Sequence, residues 1–233
     1  MSQDTSMGET QMTLPSLPVR IVRVFVAPGE LFDALRERPV WLDALLVTIV
    51  VALLIQFVLP VEIFREAVMS GLPSDASPEQ IEATENSIPT LRVIAWISTV
   101  IMPPLLFALI AGALKLLYSV LLGGAGTFKQ LFSATAHAQI VNAVGGLLVL
   151  PLILTTGDPR QALSLQLLVP MEREGWLFGF LNGLNFFGMW TMIVLGIAVS
   201  RIYPKVSAAS AIGVLMGAYV VLKAVFAFAP GAG

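Results

Sequence analysis

The chain has 233 residues, of which 57% are apolar and only 12% charged, against about 25% charged in an ordinary soluble domain. With a mean hydropathy of +0.87, these values exclude a soluble globular domain, a disordered chain and a coiled coil, and they point to an integral membrane protein. There is no cysteine, which removes disulfides, thiolate metal sites and cysteine nucleophiles.

The charged residues are clustered and leave five long charge-free runs, at 44–61, 93–114, 130–157, 175–200 and 206–222. A helix needs about 20 mostly apolar residues to cross about 30 Å of hydrocarbon. The runs do not alternate as barrel strands would. In lipid the backbone must satisfy its own hydrogen bonds, which leaves helices. The expected fold is therefore all-α: a polytopic integral membrane protein with five transmembrane helices, at about 42–60, 93–118, 130–154, 177–202 and 207–228.

In chain order, residues 1–19 read as a flexible tail without the basic and apolar regions of a cleavable signal. Pro28 sits at an expected first helical position, and Leu31, Phe32 and Leu35 share one face of the segment that Pro39 ends. Two readings of 20–40 stand: an interfacial amphipathic helix on the inner membrane surface, or a lead into the first span. Loop 60–92 carries Glu62, Glu66, Asp75, Glu79, Glu82 and Glu85. Ser77-Pro78-Glu79-Gln80 is a capping box that predicts a short surface helix to about Asn86. Span two contains Pro103-Pro104, which predicts a kink. Gly123-Gly124-Ala125-Gly126 is a tight turn without the Gly-Lys-Ser/Thr ending of a phosphate loop.

Thr127-Phe128-Lys129-Gln130 is a second capping box, and it opens a span with early polar residues, Ser133, Thr135, His137, Gln139 and Asn142. Thr135, Gln139, Asn142 and Gly146 share a face that lipid cannot satisfy, so it should point inward. Asp158-Pro159-Arg160-Gln161 predicts a further short outer helix, to about Val169. Span four runs from about Trp176 to Tyr203 and holds Gly179, Gly183, Asn182 and Asn185; span five holds Ala209, Gly213 and Gly217 at four-residue spacing. Such stripes let backbones approach closely and read as packing seams, mostly within the chain, with a homodimer seam as the alternative.

Lys and Arg set the orientation. With the N-terminus inside, inner segments carry Arg20, Arg23, Arg36, Arg38, Lys115, Lys129, Arg201 and Lys205, and outer loops carry Arg65, Arg92, Arg160 and Arg173. This favours a cytosolic N-terminus and, with five spans, a C-terminus outside. Lys223 lies within the fifth span, about one and a half turns from its outer end, where its stem can snorkel to the surface.

Enzymes working in a bilayer need polar groups held together there. The chain has one His and no Asp or Glu in the charge-free runs, and it lacks Gly-x-Ser-Gly and His-Glu-x-x-His. His137 reads first as a hydrogen-bonding residue between helices. A single His without acids makes a poor metal site, so no metal and no cofactor is expected.

Three blocks resemble a known family. Residues 25–39, from Phe25-Val26-Ala27-Pro28-Gly29-Glu30 to Arg38-Pro39, resemble the opening of bacterial Yip-type membrane domains. Thr127 to His137 is similar to the third-span entry, and Asn185-Phe186-Phe187-Gly188-Met189-Trp190 resembles the fourth-span signature, which usually has Asp where this chain has Asn185. The family is named for proteins that interact with Ypt/Rab GTPases. The resemblance implies five spans with a cytosolic N-terminus.

The function expected from these readings is that of a non-enzymatic scaffold or assisting subunit for other membrane components, with no nucleic-acid partner. It would sit in the lipid bilayer of a bacterial inner membrane, with homo-oligomers allowed. Its contact surfaces would be the N-terminal amphipathic segment and the inner turns at 123–130 and 201–206. The alternative is a small transporter or permease-associated subunit whose polar pathway uses Lys223, His137, Gln139, Asn142, Asn182 and Asn185. Trp190, Gly213 and Gly217 complete the set of candidate intramembrane polar and packing residues.

Overall fold

The computed structural model describes residues 14–73, 75–159, 163–170 and 175–228. Among the described residues ten α-helices follow one another: α1 (Leu17–Val26), α2 (Pro28–Glu37), α3 (Leu42–Val58), α4 (Val61–Met69), α5 (Pro78–Lys115), α6 (Phe128–Ala138), α7 (Ile140–Thr156), α8 (Gly175–Gly183), α9 (Phe186–Ile202) and α10 (Ala208–Phe226). A π-helical turn, Leu116–Leu121, extends α5. Both capping boxes form as their residues require. Ser77 and Thr127 each accept the backbone N–H three residues on, and Gln80 and Gln130 reach back.

Helices α6 and α9 form the centre. Every residue from 131 to 138 is buried, including Ser133, Thr135 and His137. The polar entry of the third span is therefore inside the protein, where partners can satisfy it. Around this core lie α2, α3, α5 and α10, and the lipid-ready surface is on the outer members. Ile97, Ile101, Leu105 and Leu109 of α5 and Val221, Leu222 and Val225 of α10 are all more than half exposed. Apolar side chains in that number on the outside suit a hydrocarbon solvent.

Three helices among the described residues are long and apolar enough to cross a membrane: α5 with its π turn, α6 with α7, and α10. A fourth is added if α3 and α4 count as one span, bent by 99°. Helix α9 is apolar but has only 17 residues.

Several expectations are corrected. The short helix after Ser77 does not stop near Asn86; it continues through Pro89 and Pro103-Pro104 as one helix of 38 residues. At about 1.5 Å per residue this is some 57 Å, far more than a bilayer core requires. Its first turns are held by chemistry suited to water: Arg65 Nε donates to Glu85 Oε1 at 2.6 Å, and Arg92 Nη2 donates to the Leu59 carbonyl at 3.2 Å. Span four is not one helix but is broken at Leu184-Asn185. The helix expected after Asp158 is a single 3-10 turn, Leu165–Leu168, with 160–162 outside the described residues. Gly157 closes α7 in the left-handed conformation, φ 70°, that a glycine adopts without cost.

The N-terminal segment differs as well. Of the expected tail, 1–13 lie outside the described residues, and α1 already begins at Leu17. The apolar face of α2 does not lie on lipid. Leu31, Phe32 and Leu35 are almost fully buried, and α2 packs on α9 and α6. The exposed apolar stripe belongs to α1: Val19, Val22 and Val26 recur at helical spacing and are 42%, 58% and 73% exposed. The sequence pattern found the amphipathic face of α2, but the protein core competes with the membrane for such a face, and here the core takes it.

Candidate functional site

Two polar clusters lie in the interior, one at each end of the bundle. The first joins α1, α3 and α6. Arg20 is 4% exposed, and its guanidinium spends every nitrogen. Nε donates to the Pro15 carbonyl at 3.1 Å, Nη1 to Asp43 Oδ1 at 3.2 Å, and Nη2 to Asp43 Oδ2. Nη1 also meets His137 Nε2 at 2.9 Å. A guanidinium can only donate, so Nε2 carries the lone pair and Nδ1 carries the hydrogen. That hydrogen goes to the Ser133 carbonyl at 2.9 Å. Both imidazole nitrogens are thus committed. Ser133 Oγ in turn donates to the Val40 carbonyl, tying α6 to the chain that leads into α3. Arg20 and Asp43 were not among the sequence candidates. Both lie outside the charge-free runs, and no local motif marks a pair 23 residues apart.

The second cluster surrounds the break between α8 and α9. Asn185 is extended, φ −88° and ψ 152°, and its side chain caps α9 by accepting from Gly188 N–H at 2.7 Å. The loop before α8 fills the backbone gap: Phe186 N–H donates to the Leu163 carbonyl at 2.7 Å and Leu165 N–H to the Leu184 carbonyl at 3.1 Å. Irregular backbone is tolerated at membrane depth only when protein supplies such partners. Ser164 Oγ donates to Asn182 Oδ1 at 3.1 Å, and Tyr219 Oη of α10 donates to the Gly183 carbonyl at 2.8 Å. Lys223 is half-buried; its stem runs past Gly183 and its ammonium lies 5.5 Å from the centre of the Tyr219 ring. Trp176 Nε1 donates to the Ala224 carbonyl at 2.9 Å.

The sequence model of the Yip1 domain matches residues 22–229, from α1 to the end of α10. The chain belongs to the Yip1 domain family. With its apolar helices, membership makes it an integral, multi-pass membrane protein. No curated protein and no solved structure matches it. In this Yip1 domain, the block 185–190 is the cap and first turn of α9. The departure from Asp to Asn at 185 is neutral for that task, because both side chains offer the accepting oxygen and rank equally as N-caps. Asn185→Ala should lower stability by about 1 kcal/mol, while Asn185→Asp should keep the cap. Unfolding of the solubilised protein by increasing SDS in mixed micelles checks both.

The remaining candidates divide between these clusters or stand apart. Gln139 and Asn142 bond each other at 2.8 Å on one helix face. Trp190 stacks on Phe186, 6.1 Å between ring centres, and its indole N–H is buried without a partner among the described residues. The side chains nominated as a polar pathway therefore fall into groups with separate partners. Gly213 and Gly217 correct the expectation of a seam within the chain, because both are exposed and a Cβ at either would meet no atom within 4 Å. The close approach between α9 and α10 is made instead at Gly196, where a Cβ would lie 2.8 Å from the backbone of Ile212. The turns at 123–130 and 201–206 do come together. Tyr203 fills the space above Gly124 and Gly126, and its hydroxyl lies 2.8 Å from Ser119 Oγ.

Proposed function

We propose that this Yip1 domain protein is a non-enzymatic organising or assisting subunit for other components of a bacterial inner membrane. The observation that carries this reading is the use made of the interior polar groups. Arg20, Asp43, His137, Asn185 and Tyr219 aim their polar atoms at one another and at backbone, and so join helices rather than converge on a substrate-sized cleft.

The reading includes five crossings: α3, with α4 along the outer interface; α5; α6 with α7; α8 with α9 as a broken fourth; and α10. Seventeen residues of α9 rise about 26 Å, and α8 supplies the remainder. The N-terminus is cytosolic in this arrangement, with Arg20, Arg23, Arg36, Lys115, Lys129, Arg201 and Lys205 at the inner end. The valine stripe of α1 rests at the inner lipid interface.

Crosslinking in native membranes should capture a recurrent set of membrane proteins, and purified protein in liposomes should pass no solute. Solute flux abolished by Asn142→Ala or Lys223→Ala would replace this reading with the transporter one. A C-terminal reporter active in the cytosol would overturn the five-crossing arrangement.

A further inference from the structure

Two cavities share a wall at the end of the bundle where α5 stops and α6 and α10 begin. The first, about 390 Å³, is bounded by Arg36 at the end of α2, by the glycine turn 123–125, by Gln130 and by Lys205. The second, about 420 Å³, runs along Leu117 and Val214 to the start of α10. Tyr118, Leu122, Lys205 and Val206 line both. The first chamber is cationic: its two charged side chains are Arg36 and Lys205, both exposed and neither ion-paired among the described residues. At the shared wall Tyr118 is 3% exposed, and its buried hydroxyl has no hydrogen-bond partner among the described residues. A buried donor without an acceptor is costly and calls for an explanation, among which is a polar group bound beside it.

We propose that these cavities hold one anionic phospholipid, with its phosphate in the first chamber between Arg36 and Lys205 and an acyl chain in the second along Leu117, Leu122 and Val214. Phosphate oxygens are the acceptors that a guanidinium, an ammonium and an unpartnered phenol share. A free phosphate would satisfy the first chamber but leave the second to water. An amphiphile fills both, because the chambers adjoin and the second, beside Lys205, Ser207 and Ser210, presents Leu117, Leu122, Val206 and Val214 to an acyl chain. The position suits it: Lys115, Lys129 and Arg201 mark helix ends, where headgroups lie. The π-helical turn Leu116–Leu121 belongs to the same wall, and such turns recur at binding sites. This inference stands apart from the organising role and does not depend on it.

The test uses the full chain in mild detergent, titrated with phosphatidylglycerol or phosphatidylcholine of identical chains. Retained lipid is counted by native mass spectrometry. One phosphatidylglycerol should be retained in preference to phosphatidylcholine. Arg36→Gln with Lys205→Gln should weaken retention about tenfold, the scale of losing charge-assisted hydrogen bonds. Val214→Trp, which fills the second chamber, should weaken it as well. Arg38→Gln with Lys129→Gln removes equal charge from exposed positions at the same end and should change retention little. Equal retention of the two lipids, or equal loss in the two double variants, overturns the site. Displacement of the lipid by millimolar glycerol phosphate shows a phosphate site without a chain and overturns the lipid.

Discussion

Arg20→Ala is expected to destabilise the protein by about 3 kcal/mol, read as the shift in an SDS unfolding equilibrium in mixed micelles. Removing one partner of a buried ion pair typically costs about 3–5 kcal/mol, because the other charge stays behind without compensation. The lower end applies here. The Asp43 side chain is 35% exposed and still accepts the Ala44 N–H at 2.9 Å, so water and backbone recover part of the loss. A second contribution comes from His137, which is fully buried and would lose the donor to its Nε2. An unpaired buried acceptor costs about 1–3 kcal/mol.

The control separates a structural from a chemical role. Replacing all three side chains with apolar ones of similar bulk, Arg20→Met, Asp43→Leu and His137→Phe, removes the three side-chain partners together. Such replacements are often neutral or stabilising. Recovery of most of the loss would show that the triad acts as a fastener among α1, α3 and α6. A triple variant that regains stability yet loses its crosslinked neighbours would assign the triad a functional charge, contrary to the fastening role.

The parts of this fold legible in the sequence are those with a local cause. Both capping boxes, the start of α2 at Pro28 and the inward turn of Thr135 follow from short patterns and from the cost of polar groups in lipid, while Gln139, Asn142 and Gly146 of the same expected face are only half-buried. What was not legible depends on competition at a distance. Helix α5 runs on past Asn86 without a break into the apolar stretch, and its early turns meet α4 through the Arg65–Glu85 pair, a tertiary contact that no pattern within 77–86 contains. The break at Asn185 forms because residues 163–165 bond its free backbone groups, which no reading of 175–200 alone can reveal. By sequence Arg20 reads as a topology signal, yet its charge is used inside the protein. The small-residue stripe on α10 is a true pattern, yet at Gly213 and Gly217 it makes no close approach within the chain, since small residues permit such an approach but do not compel it.

That last difference can be measured with alanine alone. Gly196→Ala should cost about 1–3 kcal/mol, the range for overpacking a tight contact. The added Cβ would sit 2.5 Å from Ile212 Cγ1 and 2.8 Å from both Ile212 N and Cα. A side-chain tip can rotate away, but backbone atoms of a packed helix cannot, so α10 must shift on α9. Gly213→Ala and Gly217→Ala meet open space, and by helix propensity each should be neutral or stabilising by up to about 1 kcal/mol. Stability is read in the SDS titration and the association state by in-membrane crosslinking at low protein density. If Gly196→Ala is silent while Gly213→Ala destabilises, the α9–α10 contact is mispositioned and the stripe is the real internal seam. If Gly213→Ala leaves the monomer stable but abolishes a crosslinked dimer, the stripe is a seam between two copies. Unchanged stability and association would assign it to lipid.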